Sequence, residues 1–198
     1  NGALMAFVPG QEPWTITTEP GNISNYSMKQ VPEGHGLIWE HVSTGGLYYQ
    51  PIGGERVELA AENAGASQVS SNGKYIYYRQ YESSESPGLY QYRISDGQNR
   101  LVKDLQDSQS WYLWQDGSKI VVDLNGTIEI IDADTLEVLW TREDITYILP
   151  GVYTNALYFL VDRELWCWDS ESGEEKKLLD GFMTYYLTED GALYCQVS

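Results

Sequence analysis

A short unit recurs along this chain at a spacing near 40 residues, and that period limits the fold more than any other feature of the sequence. Five segments start alike: Gly36-Leu37-Ile38-Trp39, Lys74-Tyr75-Ile76-Tyr77, Lys119-Ile120-Val121-Val122, Asn155-Ala156-Leu157-Tyr158 and Ala192-Leu193-Tyr194-Cys195. Anchored on Leu37, Tyr75, Ile120, Leu157 and Leu193, they are 38, 45, 37 and 36 residues apart. A second, independent set begins at Leu47, Leu89, Ile128 and Leu165, with spacings of 42, 39 and 37. Both sets give one period.

Within each unit the segments are short, alternating, and rich in Tyr, Trp, Val and Ile, which is the signature of strands. Turn dipeptides separate them: Asn72-Gly73, Asp96-Gly97, Asp116-Gly117, Asn125-Gly126 and Asp190-Gly191. The Gly- and Pro-free stretches 98–115 and 127–149 are long enough for helices, but Asp132-Ala133-Asp134-Thr135 breaks the second where the repeat requires a hairpin. Four strands in ~40 residues make the blade of a β-propeller. The sequence therefore predicts an all-β chain with blades at about 24–62, 66–106, 108–143 and 145–180. Two half-blades remain. Residues 182–198 supply strands A and B, counted outward from the axis, and residues 1–18 supply strands C and D. Together they predict one domain over 1–198, a five-bladed ring closed by pairing of its two ends. Closure removes two exposed sheet edges. The alternative is a fragment of a six- or seven-bladed ring.

Charge excludes several partners. The chain has 198 residues, with 29 acidic against 12 basic and a net charge of −17. Such a surface repels phosphate and anionic membrane, so neither nucleic acid nor a membrane surface is an expected partner. No run of ~18 apolar residues exists to insert into a bilayer. With 7 Trp, 16 Tyr and 3 Phe, the acidity does not signify disorder. An acidic, aromatic-rich chain with two cysteines fits an extracellular or cell-envelope protein, released from an anchored or lipidated precursor.

The repeat also resembles known families. Leu165-Trp166-Cys167-Trp168-Asp169-Ser170-Glu171-Ser172-Gly173-Glu174 with Lys177-Leu178-Leu179, and Gly88-Leu89-Tyr90-Gln91-Tyr92-Arg93-Ile94-Ser95-Asp96-Gly97, resemble the repeat of bacterial lipoprotein-receptor-like and TolB-like propellers. The stretch Gly126–Thr135 with Trp140 resembles a blade of the pyrroloquinoline-quinone-type propellers, over one blade only, and no cofactor is carried over. The resemblance implies an extracytoplasmic, non-catalytic propeller. It specifies fold rather than activity.

Chemistry is sparse. A glycan-active hydrolase on a five-bladed ring would need paired carboxylates near the axis. Glu33, Asp116, Asp144, Glu189 and Asp190 are the acids nearest the A strands. Asp116 and Asp190 share the repeat position of Asn72, before a glycine, so they are expected to serve the turn. No nucleophile elbow or phosphate loop appears, and His35 and His41 read as turn and strand-end residues. No catalytic residue, metal ligand or cofactor is assigned. Cys167 and Cys195 fall on apolar faces of neighbouring blades, as buried small hydrophobes or as a disulfide.

The aromatics carry what functional signal remains. Trp111, Tyr112, Trp114, Tyr147, Tyr185 and Tyr186 lie on predicted A strands, where they form either an aromatic wall or wedge-filling core. The loop 79–88, with Arg79 and Tyr81, is the longest departure from the repeat and a candidate binding loop. The expected role is a monomeric binding or sensing module that meets a protein or carbohydrate ligand. The competing readings are the hydrolase and a structural spacer.

Overall fold

A computed structural model describes residues 4–7, 9–10, 12–17, 23–31, 34–149, 155–188 and 193–198. These residues form antiparallel sheets, with no helix among them. The chain divides into two compact units, Asn1–Asp107 and Ser108–Ser198.

The first unit holds a two-stranded sheet and two four-stranded sheets. The small sheet pairs β1 (Leu4–Ala6) with β2 (Trp14–Thr17). The next runs β3 (Ile23–Val31), β4 (Gly34–His41), β5 (Leu47–Pro51) and β6 (Val57–Ala60). The third runs β7 (Ala64–Val69), β8 (Tyr75–Gln80), β9 (Gly88–Arg93) and β10 (Asn99–Lys103). In the second unit the first sheet is β11 (Ser110–Leu113), β12 (Lys119–Asp123), β13 (Ile128–Asp132) and β14 (Val138–Arg142). Its second sheet is β15 (Tyr147–Ile148), β16 (Ala156–Val161), β17 (Glu164–Asp169) and β18 (Glu175–Leu179). The hairpin β19 (Phe182–Leu187) and β20 (Leu193–Val197) ends the chain. Every four-stranded sheet is a simple meander.

The residues that set the repeat are those the sheets bury. Leu37, Tyr75, Ile120 and Leu157 are buried on second strands, and Leu47, Leu89, Ile128 and Leu165 on third strands. The middle strand β8 is covered on both faces and buried at all but its last residue, so it reads Tyr75-Ile76-Tyr77-Tyr78-Arg79 without polar alternation at its start. Sheet stacks on sheet. Ile38, Leu47, Tyr49, Ile76, Tyr78 and Tyr92 form one core in the first unit. Val121, Ile130, Phe159, Trp114 and Trp168 form another in the second. A third cluster of Leu149, Leu165 and Phe182, with Tyr158, Leu193 and Cys195 against it, seats the β19–β20 hairpin.

Local chemistry fixes the turns. Asn72 and Asp116 each accept a hydrogen bond from the backbone N–H two residues on, at Lys74 (3.0 Å) and Ser118 (2.8 Å). Gly117, at φ 73°, takes the left-handed conformation that such a turn needs. The third hairpin uses a different device. Asp132 accepts from the N–H groups of Asp134 and Thr135 and from the Thr135 hydroxyl. Asp169 does the same with Glu171 and Ser172. These acids are committed to the backbone. Asp190 lies outside the described residues.

One backbone bond recurs between successive sheets. The N–H that opens a new sheet donates to the second hairpin of the sheet before it: Ala64 to Gly45, Ile145 to Gly126 and Phe182 to Arg163, each at 2.9 Å. It fixes the entry of each first strand.

Candidate functional site

The expected binding residues separate into three groups. Arg79 is the first departure from expectation. It is buried at the end of β8, and its guanidinium donates to the Gln106 carbonyl, lies 3.5 Å from the Asp107 carboxylate and sits 5.5 Å from the Tyr81 ring centre. The Asp107 carboxylate accepts from the Glu82 N–H (3.3 Å), and the Glu82 carboxylate accepts from the Asp107 N–H (3.0 Å). Asn63 donates to the Ser83 carbonyl and Tyr90 to the Ser86 carbonyl. The extended loop is therefore tied by side chains to the segment that follows β10. Arg79 is a structural clamp, and Tyr81 is half-buried beside it.

Trp111 and Trp114 are the second departure. Trp111 is buried on β11, and Trp114 is only 2% exposed just past its end. The Trp114 backbone N–H closes the β11–β12 hairpin on the Lys119 carbonyl (2.9 Å). Its ring meets Trp168 edge-on at 6.0 Å, and the Lys119 ammonium lies 5.4 Å from the ring centre. Both are buried in the core.

Tyr112, Tyr147 and Tyr185 are different. They sit on β11, β15 and β19, the first strands of three successive sheets in the second unit. Tyr112 is 37% and Tyr147 50% exposed, and Tyr185 is half-buried. Burial pushes the Tyr185 phenol above its ordinary range, and the neighbouring Tyr147 adds to the shift. Phe182 packs against Tyr185 from below, with ring centres 6.2 Å apart. The neighbouring Tyr186 and Tyr194, register partners across β19–β20, are 68% and 65% exposed. Tyr186 is one of the aromatics expected on an A strand, whereas Tyr194 is not; the register shift between Phe182 and Thr184 turns Tyr186 away from the face that buries Phe182.

Of the acids proposed for hydrolysis, Asp116 and Asp144 lie among the described residues. Burial raises the Asp116 carboxyl, but hydrogen bonds from Ser118 and the charge of Lys119 outweigh it and hold the group below the ordinary range. A carboxyl held ionised in this way is poorly suited to donating a proton at neutral pH. Asp144 takes a left-handed φ of 63° on the connection into β15. Glu33, Glu189 and Asp190 lie outside the described residues.

Cys167 and Cys195 are free, half-buried thiols. They are not bonded to each other. Cys167 is the register partner of Tyr158, and Cys195 packs in the cluster that includes Tyr158. Burial raises both thiols above their ordinary range, which keeps them protonated and unreactive.

Comparison with known proteins bears on the fold. No family model matches the chain, and no curated protein matches it. Solved structures do. The β-propeller domain of the Trilobed protease from Pyrococcus furiosus aligns with a TM-score of 0.55 at 14% identity, covering 88% of this chain and 64% of that one. An acylaminoacyl peptidase from Pyrococcus horikoshii aligns at 0.57 and 13% identity, over 86% of this chain and 34% of that one. TolB from Acinetobacter baumannii overlaps at 0.42 and 17% identity, over 89% of this chain and 48% of that one, too loosely to add weight. The chain spans between a third and two thirds of the length of these structures. The fold is of the β-propeller type. At such identities the likeness extends to nothing beyond fold.

Proposed function

We propose that the chain is a non-catalytic, extracytoplasmic binding or sensing module of the TolB-like and lipoprotein-receptor-like kind. It works as a monomeric domain and offers first-strand tyrosines of its second unit to a protein or glycan. One observation carries this reading: Tyr147 and Tyr185 sit on the first strands of adjacent sheets, and Tyr147 stays half exposed. A pair of aromatic faces held by a rigid sheet framework is a low-entropy binding surface. Tyr147→Ala is expected to lower affinity for the ligand at least about tenfold, with thermal stability within ~0.5 kcal/mol of the parent. The measurement is a binding screen against neutral oligosaccharides and against peptides. Unchanged affinity in the variant would remove the array from the site. Release of new reducing ends from any oligosaccharide would favour the hydrolase instead.

The finer architecture belongs to the same proposal. The whole chain forms one ring of five blades, with β1–β2 completing the sheet begun by β19–β20. Four sheets of four strands and two of two strands support that count. The alternative, part of a six- or seven-bladed ring, draws support from the 64% coverage of the Trilobed protease propeller domain. Closure predicts that amides on both edges of β20 resist hydrogen exchange, and that deleting residues 1–18 exposes one edge. Fast exchange there in the intact chain would break the five-blade count.

A further inference from the structure

The two units differ sharply in charge. The first carries 12 acidic and 7 basic residues; the second carries 17 acidic and only 5 basic. Four of those five cations already have partners. Lys119 lies over Trp114, and Arg142 pairs with Glu175 (2.6 Å) and lies over Trp166. Lys177 bridges Glu164 and Asp180, and Arg163 donates to Ser198 (2.9 Å). Among the described residues, none of the five sits over the rings of Tyr147 or Tyr185. The two tyrosines therefore belong to a unit with an excess of acidic over basic residues, and its own cations do not cover their rings.

A tyrosine face attracts a cation through its ring quadrupole, and a surrounding acidic surface concentrates cations further. This protein already uses that pairing internally. Arg56 lies 5.0 Å from the Tyr48 ring centre, Arg79 5.5 Å from Tyr81 and Arg93 6.0 Å from Tyr75. The Tyr185 phenol, kept protonated by burial and by Tyr147, does not compete as an anion at neutral pH. An anionic ligand is repelled, and so is a second copy of a chain with net charge −17. A neutral glycan can stack on the rings but gains nothing from the field. A cation gains from both.

We infer that the ligand of the tyrosine array is a lysine- or arginine-bearing segment of another protein, held by cation–π contact at Tyr147 and Tyr185 and drawn in by the acidic second unit. The inference rests on the reading of the array as a binding surface. The test titrates the full chain with four probes: a Lys-Ser repeat peptide, its Gln-Ser counterpart, spermine and cellohexaose. Each is run against the parent, Tyr147→Phe and Tyr147→Leu. The Lys-Ser peptide is expected to bind best and to weaken with salt. Tyr147→Phe keeps the ring face and should match the parent within about twofold. Tyr147→Leu keeps apolar bulk without a ring and should lose roughly two- to fivefold. Tighter binding of the Gln-Ser peptide or of cellohexaose, lost in Tyr147→Leu, would overturn the cationic assignment and leave the binding surface standing. Spermine binding as tightly as the peptide would overturn the protein segment as ligand. Lys-Ser binding insensitive to Tyr147→Leu would reduce the effect to bulk charge and overturn the inference. If no probe's binding depends on Tyr147, both readings fall.

Discussion

The first unit buries five tyrosines beside its aliphatic side chains; the second, among the described residues, buries none and relies on Ile, Val, Leu and Trp. In the β7–β10 sheet, Tyr75, Tyr77, Tyr78 and Tyr92 are all buried, and each brings a hydroxyl that burial would strand without a partner. One face solves this with a row that crosses the sheet in register. Tyr77 faces Gln91, and Gln91 faces Arg100. The Gln91 amide donates to the Tyr77 hydroxyl (2.7 Å), and the Arg100 guanidinium donates to the Gln91 carbonyl oxygen. On the other face the Tyr78 hydroxyl donates to the Leu59 carbonyl (2.6 Å) and accepts from Asn99 (2.7 Å). The β11–β14 sheet has no such row among its described middle strands; Ile120, Val121, Val122, Ile128, Ile130 and Ile131 fill the same positions. One repeat therefore tolerates two kinds of core. What must be kept is the strand period and satisfied polar atoms, not the side-chain type.

The difference can be broken first in the second unit, where packing alone holds the core. Trp114→Ala removes a ring that is 2% exposed and touches Trp168, and should cost about 3–5 kcal/mol. Urea unfolding checks it, and a loss below ~1 kcal/mol would mean that the ring is not core.

In the first unit the sensitive element is polar. Gln91→Leu removes both the donor to Tyr77 and the acceptor for Arg100, and should cost about 1–3 kcal/mol although it adds apolar volume. A neutral or stabilising result would show that the row is dispensable. The comparison between units would then reduce to composition.

The smallest effect is a titration. Burial pushes the Tyr78 phenol from 10.0 up to about 12, although the Asn99 hydrogen bond opposes the shift. A raised acid is one that the folded state keeps protonated. Its contribution is therefore complete below pH 10 and is lost as pH rises from 10 towards 12, with a size on the order of 2 kcal/mol. Stability measured across that window should fall less steeply in Tyr78→Phe than in the parent. Equal slopes would place the alkaline loss in other groups.

Much of the fold could be read from the sequence, because strand period and turn chemistry are local. The anchors Leu37, Tyr75, Ile120 and Leu157 proved to be buried second-strand residues, and Asn72 and Asp116 cap the turns their glycines announce. The site was less legible. Trp111, Tyr112 and Trp114 lie within four residues on one strand and its exit, yet only Tyr112 reaches solvent. No local rule separates them. Arg79 looked like a binding residue because its loop is long, but its guanidinium is buried against the Gln106 carbonyl and the Asp107 carboxylate.

The sequence by itself determined the all-β repeat, the meander of each sheet and the turn roles of the acids, since neighbours within a few residues decide these. Only the tertiary structure decided which aromatics are core and which are surface. That choice depends on how one sheet stacks on the next, and the residues that bury a given ring lie tens of positions away in the chain.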